Sequence, residues 1–154
     1  MNKLNIGIDL GGTKIESVVL DLNSKILFRQ RVLTESKKGS DHVLNQIQNI
    51  YLQAINSIQG KEHTLGIGTP GSLSSSTGLL RNSTIACQNG LPLHDLIEKK
   101  LNHSCAIEND AYCFALAESH LGAGENYSLV FGVIMGTGCG GGFIHNGELR
   151  RGPQ

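Results

Sequence analysis

Apolar residues fall into three short runs near the amino terminus. Residues 4–10 (LNIGIDL) and 15–22 (IESVVLDL) are rich in Ile, Val and Leu, and Lys25 to Leu33 (KILFRQRVL) alternates, which predicts three strands. The link Asp21-Leu22-Asn23-Ser24 has turn chemistry, so the second and third strands are expected to form an antiparallel hairpin. The period then changes. Val43, Ile47, Ile50, Ala54 and Ile58 recur at three- and four-residue steps, which predicts one amphipathic helix capped by Ser40-Asp41 and ending near Gly60. An apolar strand at Thr64 to Gly68 runs into Thr69-Pro70-Gly71, and Ser72 to Gly78 reads as a polar loop containing four serines. A short helix at Leu93 to Leu101, a strand at Cys105 to Glu108 and a helix from Ala111 to about Leu121 follow. The order βββαβαβα predicts an α/β fold with a mixed sheet and helices packed on it.

Gly122-Ala123-Gly124-Glu125-Asn126 is the expected boundary between a domain over residues 1–121 and a second portion over 122–154. In that portion Tyr127 to Met135 and Gly142 to His145 read as strands around a glycine cluster, a faint repeat of the opening "strand, glycine turn, strand" unit. Residues 148–154 are expected to form neither helix nor cap, and the chain is expected to be the amino-terminal part of something longer.

Composition narrows the partners. Lys plus Arg and Asp plus Glu are 13 each over 154 residues, so no broad electrostatic footprint for nucleic acid or an anionic membrane is expected. No apolar run approaches the ~20 residues of a membrane-spanning helix. Cys87, Cys105, Cys113 and Cys139 lack C-x-x-C spacing and no signal peptide is evident, which points to free, buried thiols in a cytoplasmic setting. His103 and Cys105 could form a metal pair, but two ligands alone do not make a zinc site.

Two glycine clusters could cradle phosphate: Gly11-Gly12-Thr13-Lys14 and Gly136-Thr137-Gly138-Cys139-Gly140-Gly141-Gly142. Glycines let backbone N–H groups approach an anion, and Thr and Lys add donors; a tight β-turn is the alternative for each. Neither is a Walker A loop. The second fits G-x-G-x-x-G in form, but the strand-like Gly142-Phe143-Ile144-His145 follows where a dinucleotide site needs a helix. Asp9, just before the first cluster, could approach a phosphate-bound Mg²⁺ or simply flank a turn. At Glu108-Asn109-Asp110 a strand hands over to a helix, so Asp110 could cap that helix, act as a general base toward a substrate hydroxyl, or do both. Asn82 could serve sugar hydroxyls or be an ordinary turn residue.

Taken in order, Ile8-Asp9-Leu10-Gly11-Gly12-Thr13-Lys14, Gly66-Ile67-Gly68-Thr69-Pro70-Gly71, Glu108-Asn109-Asp110-Ala111 and Gly136 to Gly142 resemble the ROK family of bacterial sugar kinases and sugar-responsive repressors. The resemblance implies an actin-like ATPase (ribonuclease H-like) domain followed by the first strands of a second, similar one. It implies an ATP-dependent kinase acting on a hexose hydroxyl, usually on carbon 6. In that scheme Gly11, Gly12, Thr13 and Lys14 form the first phosphate hairpin, Gly136, Thr137 and Gly138 the second, and Asp9 lies near Mg²⁺, through water. Gly68, Pro70, Gly71, Asn82, Asn109 and Asp110 bind the sugar, with Asp110 as the base. Tyr112 departs from the Asn that many members carry. Structural Zn²⁺ and most of the adenosine pocket belong to family segments beyond Gln154, so this chain alone is expected to be inactive. The alternatives are a sugar-sensing regulator without its DNA-binding module and a non-catalytic interaction domain. A homodimer is compatible with the family.

Overall fold

The computed structural model describes residues 3–136 and 138–151. Packing divides the chain into two compact units, one ending at Ile107 and the other beginning at Glu108.

The first unit opens with β1 (Leu4–Leu10), β2 (Lys14–Leu20) and β3 (Ile26–Leu33), antiparallel neighbours, with Asp21 closing the second hairpin by accepting the Asn23 and Lys25 amides at 2.9 Å each. Helix α1 (Ser40–Ser57) then returns the chain so that β4 (His63–Thr69) lies parallel to β1. The expected serine loop is not unstructured. It contains a small antiparallel hairpin of β5 (Ser72–Leu73) and β6 (Leu80–Arg81), held by the Ser74 amide on the Leu79 carbonyl at 2.9 Å. Helix α2 (Leu93–Leu101) and β7 (Ala106–Asn109) complete a mixed sheet of order β3-β2-β1-β4-β7, whose last strand leaves the unit at Ile107.

The core lies on one face of this sheet. Leu4, Ile6, Ile8 and Leu10 of β1, Ile15 and Val19 of β2, and Leu65 and Ile67 of β4 join Val43, Ile47, Ile50 and Ala54 of α1 and Ile97 of α2 in one buried cluster. Strand alternation sends Asn5 and Asp9 to the other face, where they are exposed. The predicted α1 core positions are all buried, but its cap is Gly39, with Ser40 already helical and no side-chain cap bond.

The second unit sets α3 (Asp110–Leu121) on an antiparallel sheet of order β10-β9-β8, from β8 (Leu129–Met135), β9 (Cys139–His145) and β10 (Glu148–Arg150). Two expectations change here. Strand β9 begins inside the glycine cluster rather than after it, and residues 148–150 form a strand, paired with β9 through Glu148–His145 and Arg150–Phe143. Among the described residues no helix follows the glycines, in keeping with the failed dinucleotide reading. Among the described residues no helix is long and apolar enough to cross a membrane.

Candidate functional site

Parallel pairing of β1 with β4 places Asp9 opposite Gly68, and antiparallel pairing with β2 places it beside Glu16. The carboxyl ends of β1 and β4 therefore bring three candidate elements to one edge of the first unit: Asp9, the Gly11–Lys14 turn and the loop that starts at Gly68. In the turn, the Gly11 amide donates to the Lys14 carbonyl at 3.0 Å, and a Cβ on Gly11 would lie 2.8 Å from that oxygen, so a larger residue cannot close it. Gly12, Thr13 and Lys14 are exposed. Beneath them is a residue the sequence pattern did not single out. Thr34 is fully buried, its hydroxyl donates to the Gly11 carbonyl at 2.6 Å and its amide to the Thr13 carbonyl at 2.9 Å.

The Pro70-Gly71 bend packs on the segment bearing Asn82. Gly71 has φ 84°, and a Cβ there would lie 2.3 Å from the Arg81 carbonyl oxygen and 2.8 Å from the Ser83 nitrogen. Asn82 itself is exposed with φ 56°. A Cβ on Gly12 would lie 3.4 Å from the Thr84 hydroxyl oxygen, so the phosphate-hairpin candidate adjoins the sugar-binding candidates Gly71 and Asn82 through Thr84. Asn89 fixes this segment by accepting the Ser83 amide and donating to the Ser83 carbonyl, both at 2.9 Å. No local pattern distinguishes Asn89 or Thr34, because their partners are distant in sequence or are backbone groups. On the same sheet face, Arg29 and Arg31 grip Glu16; burial pushes its carboxyl up, but the two guanidinium groups outweigh this and hold it below the ordinary range.

In the second unit the cap of α3 is Asn109, not Asp110. Its backbone is extended, and its side-chain oxygen accepts the Ala111 and Tyr112 amides at 3.0 and 3.3 Å. Asp110 is the first helical residue, with Oδ1 2.8 Å from the Ala111 nitrogen. The preceding Glu108 accepts the Asn109 amide at 2.9 Å through one oxygen and holds the Arg151 guanidinium with the other.

The long glycine stretch divides into two kinds. Gly136 and Gly138 form an open turn, with the Gly136 amide on the Gly138 carbonyl at 2.8 Å and no atom within 4 Å of a Cβ on either. Thr137 lies outside the described residues. Gly140 and Gly142 instead lie under α3: added Cβ atoms would meet the Ala111 Cβ at 2.9 Å and the Ala115 Cβ at 2.7 Å. Gly132 on β8 meets the Ala115 Cβ at 2.7 Å as well. Those three glycines seat the helix.

The proposed His103–Cys105 pairing is replaced by another cluster. His103 stacks on His63 with ring centroids 4.6 Å apart, while Cys105 is grouped with His94 and Glu98. That group is knitted by its own hydrogen bonds: His94 Nε2 lies 2.9 Å from the Cys105 carbonyl oxygen, and the Cys105 amide donates to Glu98 at 2.9 Å. Burial, with the Glu98 charge second, pushes the Cys105 thiol up to about 11. Cys87, Cys105, Cys113 and Cys139 form no disulfide, as expected, but none is fully buried, and Cys139 is exposed beside the Gly136–Gly138 turn.

The motifs read in order along the chain fit one family: the ROK family model matches residues 5–154. The chain belongs to the ROK family. It is 36% identical over 146 residues to the N-acetyl-D-glucosamine kinase of Haemophilus influenzae, covering 95% of this chain and 47% of that protein. Against the N-acetylgalactosamine kinase of a Shewanella species the identity is 37% over 149 residues, covering 96% and 47%. Among solved structures, a ROK glucokinase from Streptomyces griseus in complex with glucose and AMPPNP superposes with a TM-score of 0.83 at 31% identity, covering 97% of this chain and 47% of that one. The fold is that of the ROK sugar kinases, and the chain spans about half the length of these relatives.

Proposed function

We propose that this ROK chain is the amino-terminal portion of a sugar kinase that transfers the γ-phosphoryl group of ATP to a hexose hydroxyl, on carbon 6, with an N-acetylhexosamine as the favoured sugar. The observation that carries the reading is Asp110 at the first turn of α3, beside a separate residue, Asn109, that does the capping. Freed from the cap, the Asp110 carboxylate is available to accept the hydroxyl proton as the sugar oxygen forms its bond to the γ-phosphorus and the bond to the bridging oxygen of ADP breaks. The Gly11–Lys14 and Gly136–Gly138 turns supply phosphate donors, and Gly68, Pro70, Gly71, Asn82 and Asn109 orient the sugar. Asp9, an exposed carboxylate at the end of β1, offers the hard oxygen that suits Mg²⁺, and would approach it through water. Bound with the nucleotide, Mg²⁺ neutralises phosphate charge. The N-acetylhexosamine assignment is supported by the names of the two kinases above. Residues 1–121 form the first domain in this reading and 122–154 begin the second.

The test is ATP-dependent phosphorylation of N-acetylglucosamine by a version extended to the family's full length. Asp110→Asn is expected to lower kcat by at least ~10²-fold with little change in sugar KM. A change of only a few-fold would reduce Asp110 to a helix residue. The 154-residue chain alone is expected to produce no ADP from ATP and hexose; robust production would overturn that part.

A further inference from the structure

We infer that Thr34 is a positioning residue for the Gly11–Lys14 hairpin, setting the direction in which its backbone amides face. The inference rests on reading that hairpin as a phosphate site. Thr34 follows the last residue of the edge strand β3, yet it is fully buried. Both of its donors go to the hairpin: the hydroxyl to the Gly11 carbonyl at 2.6 Å and the amide to the Thr13 carbonyl at 2.9 Å.

The consequence follows from peptide geometry. In a trans peptide the carbonyl and the N–H of one plane point in opposite directions. Drawing the Gly11 carbonyl toward Thr34 turns the Gly12 N–H away from it, and drawing in the Thr13 carbonyl does the same for the Lys14 N–H. A phosphate is attracted by amide hydrogens and repelled by carbonyl oxygens, so a loop that binds it must sort the two. Thr34 does the sorting from beneath by engaging two carbonyls on the buried side. The adjacent glycines make this support necessary, because Gly11-Gly12 has more backbone freedom than any other dipeptide and would otherwise populate several peptide orientations. Only the amide bond is available to any residue at this position. The hydroxyl bond needs Thr or Ser.

The experiment compares wild type, Thr34→Val and Thr34→Ser in the 154-residue chain by amide NMR, with MgATP as probe. Valine keeps the shape and removes the donor; serine keeps the donor. Without ligand, Thr34→Val is expected to speed hydrogen exchange at the two amides bonded to hairpin carbonyls, Gly11 on the Lys14 carbonyl and residue 34 on the Thr13 carbonyl, by about tenfold, the size of one lost hydrogen bond, while Thr34→Ser stays near wild type. MgATP is expected to shift the Gly11–Lys14 amides of wild type and Thr34→Ser, with affinity about tenfold weaker in Thr34→Val. Unchanged exchange at the Gly11 and residue-34 amides in Thr34→Val overturns the inference, as does acceleration spread evenly through β1 to β4, which marks a general stability role. If wild type shows no MgATP shift at the hairpin, the phosphate reading fails, and the exchange comparison still decides whether Thr34 orders the loop.

Discussion

Gly142 is read as a glycine that seats α3, and substitution by alanine tests that role. A Cβ on Gly142 would stand 2.7 Å from the Ala115 Cβ, 3.0 Å from the Ala111 carbonyl oxygen and 3.2 Å from the Tyr112 Cα. Comfortable carbon–carbon contact is about 3.5–4.0 Å, so the new methyl is short of room by about 1 Å. The atoms it meets are backbone or the first atom of a side chain and cannot swing aside, so α3 must lift from β9 as a body. Overpacking costs about 1–3 kcal/mol, and the absence of a flexible neighbour puts Gly142→Ala at about 2–3 kcal/mol. Gly138→Ala, in the same stretch but with nothing within 4 Å of its Cβ, is expected to stay within about 0.5 kcal/mol of wild type. Urea denaturation followed by circular dichroism measures both. The double variant Gly142→Ala with Ala115→Gly removes one of the colliding methyls and should recover part of the loss, less the ~1 kcal/mol that glycine costs within a helix. If Gly142→Ala is as stable as Gly138→Ala, the glycines of β9 do not seat the helix and the division of the cluster into two kinds is wrong.

Ser17 is fully buried and its hydroxyl has no hydrogen-bond partner, so Ser17→Ala is expected to stabilise the chain by about 1 kcal/mol; a loss of that size in urea denaturation would show a missed partner. Glu16 has its folded pKa lowered, so its stabilisation is present above the ordinary carboxyl value of 4.5 and is lost as pH falls through the folded value. Glu16→Gln should therefore be less stable than wild type at pH 7, with a gap that closes below pH 4.5; a gap that widens in acid would refute the Arg29–Glu16–Arg31 assignment. Iodoacetamide at pH 8 should label exposed Cys139 at least about tenfold faster than Cys105, whose thiol is pushed up to about 11, with mass spectrometry reading the order. Phe131→Ser should lower binding of the dye ANS, because Phe131 is 65% exposed on an apolar sheet face; unchanged fluorescence would place the dye elsewhere.

Elements encoded by local periodicity were legible in the sequence. Helix α2 spans the predicted Leu93–Leu101, and the three opening strands and the five α1 core positions follow from spacing that short-range sterics enforce. Strands β5, β6 and β10 were not legible, because segments of two or three residues take their conformation from a partner rather than from their own pattern. The choice of cap at Asn109-Asp110 was also hidden. Both side chains can cap, and the position where β7 gives way to α3 decides between them. Glycine content marked the second cluster without saying which glycines face a helix, since that depends on Ala111 and Ala115, about thirty residues earlier in the chain. Thr34 lies wholly outside such reasoning, because it acts on a backbone segment that only the folded chain brings near, and Asn89 escapes it because its partners are backbone groups of Ser83, which carry no side-chain pattern.

The two units use their sheets differently, and this bears on where chemistry can reside. In the first, one face holds the core and the other presents Asn5, Asp9, Glu16 and Thr64, with Gly7, Gly66 and Gly68 between them, so polar groups line a face that water or ligand can reach. In the second, β8 is apolar in both directions. Gly132 turns toward Ala115 of α3, while Leu129, Phe131, Val133 and Met135 turn the other way with Phe143, whose ring is 6.4 Å from that of Phe131. A strand apolar on both faces is the kind found in sheets covered on both sides. A depression of about 420 Å³ lined by Phe114, Tyr127, Leu129 and Phe131 is walled largely by hydrocarbon, and its lining includes neither Asp110 nor the Gly136–Gly138 turn. Its composition suits packing against apolar groups rather than recognition of sugar or phosphate. The described phosphate and sugar candidates of the second unit lie instead outside that depression, at the Asn109-Asp110 junction of β7 with α3 and at the Gly136–Gly138 turn between β8 and β9.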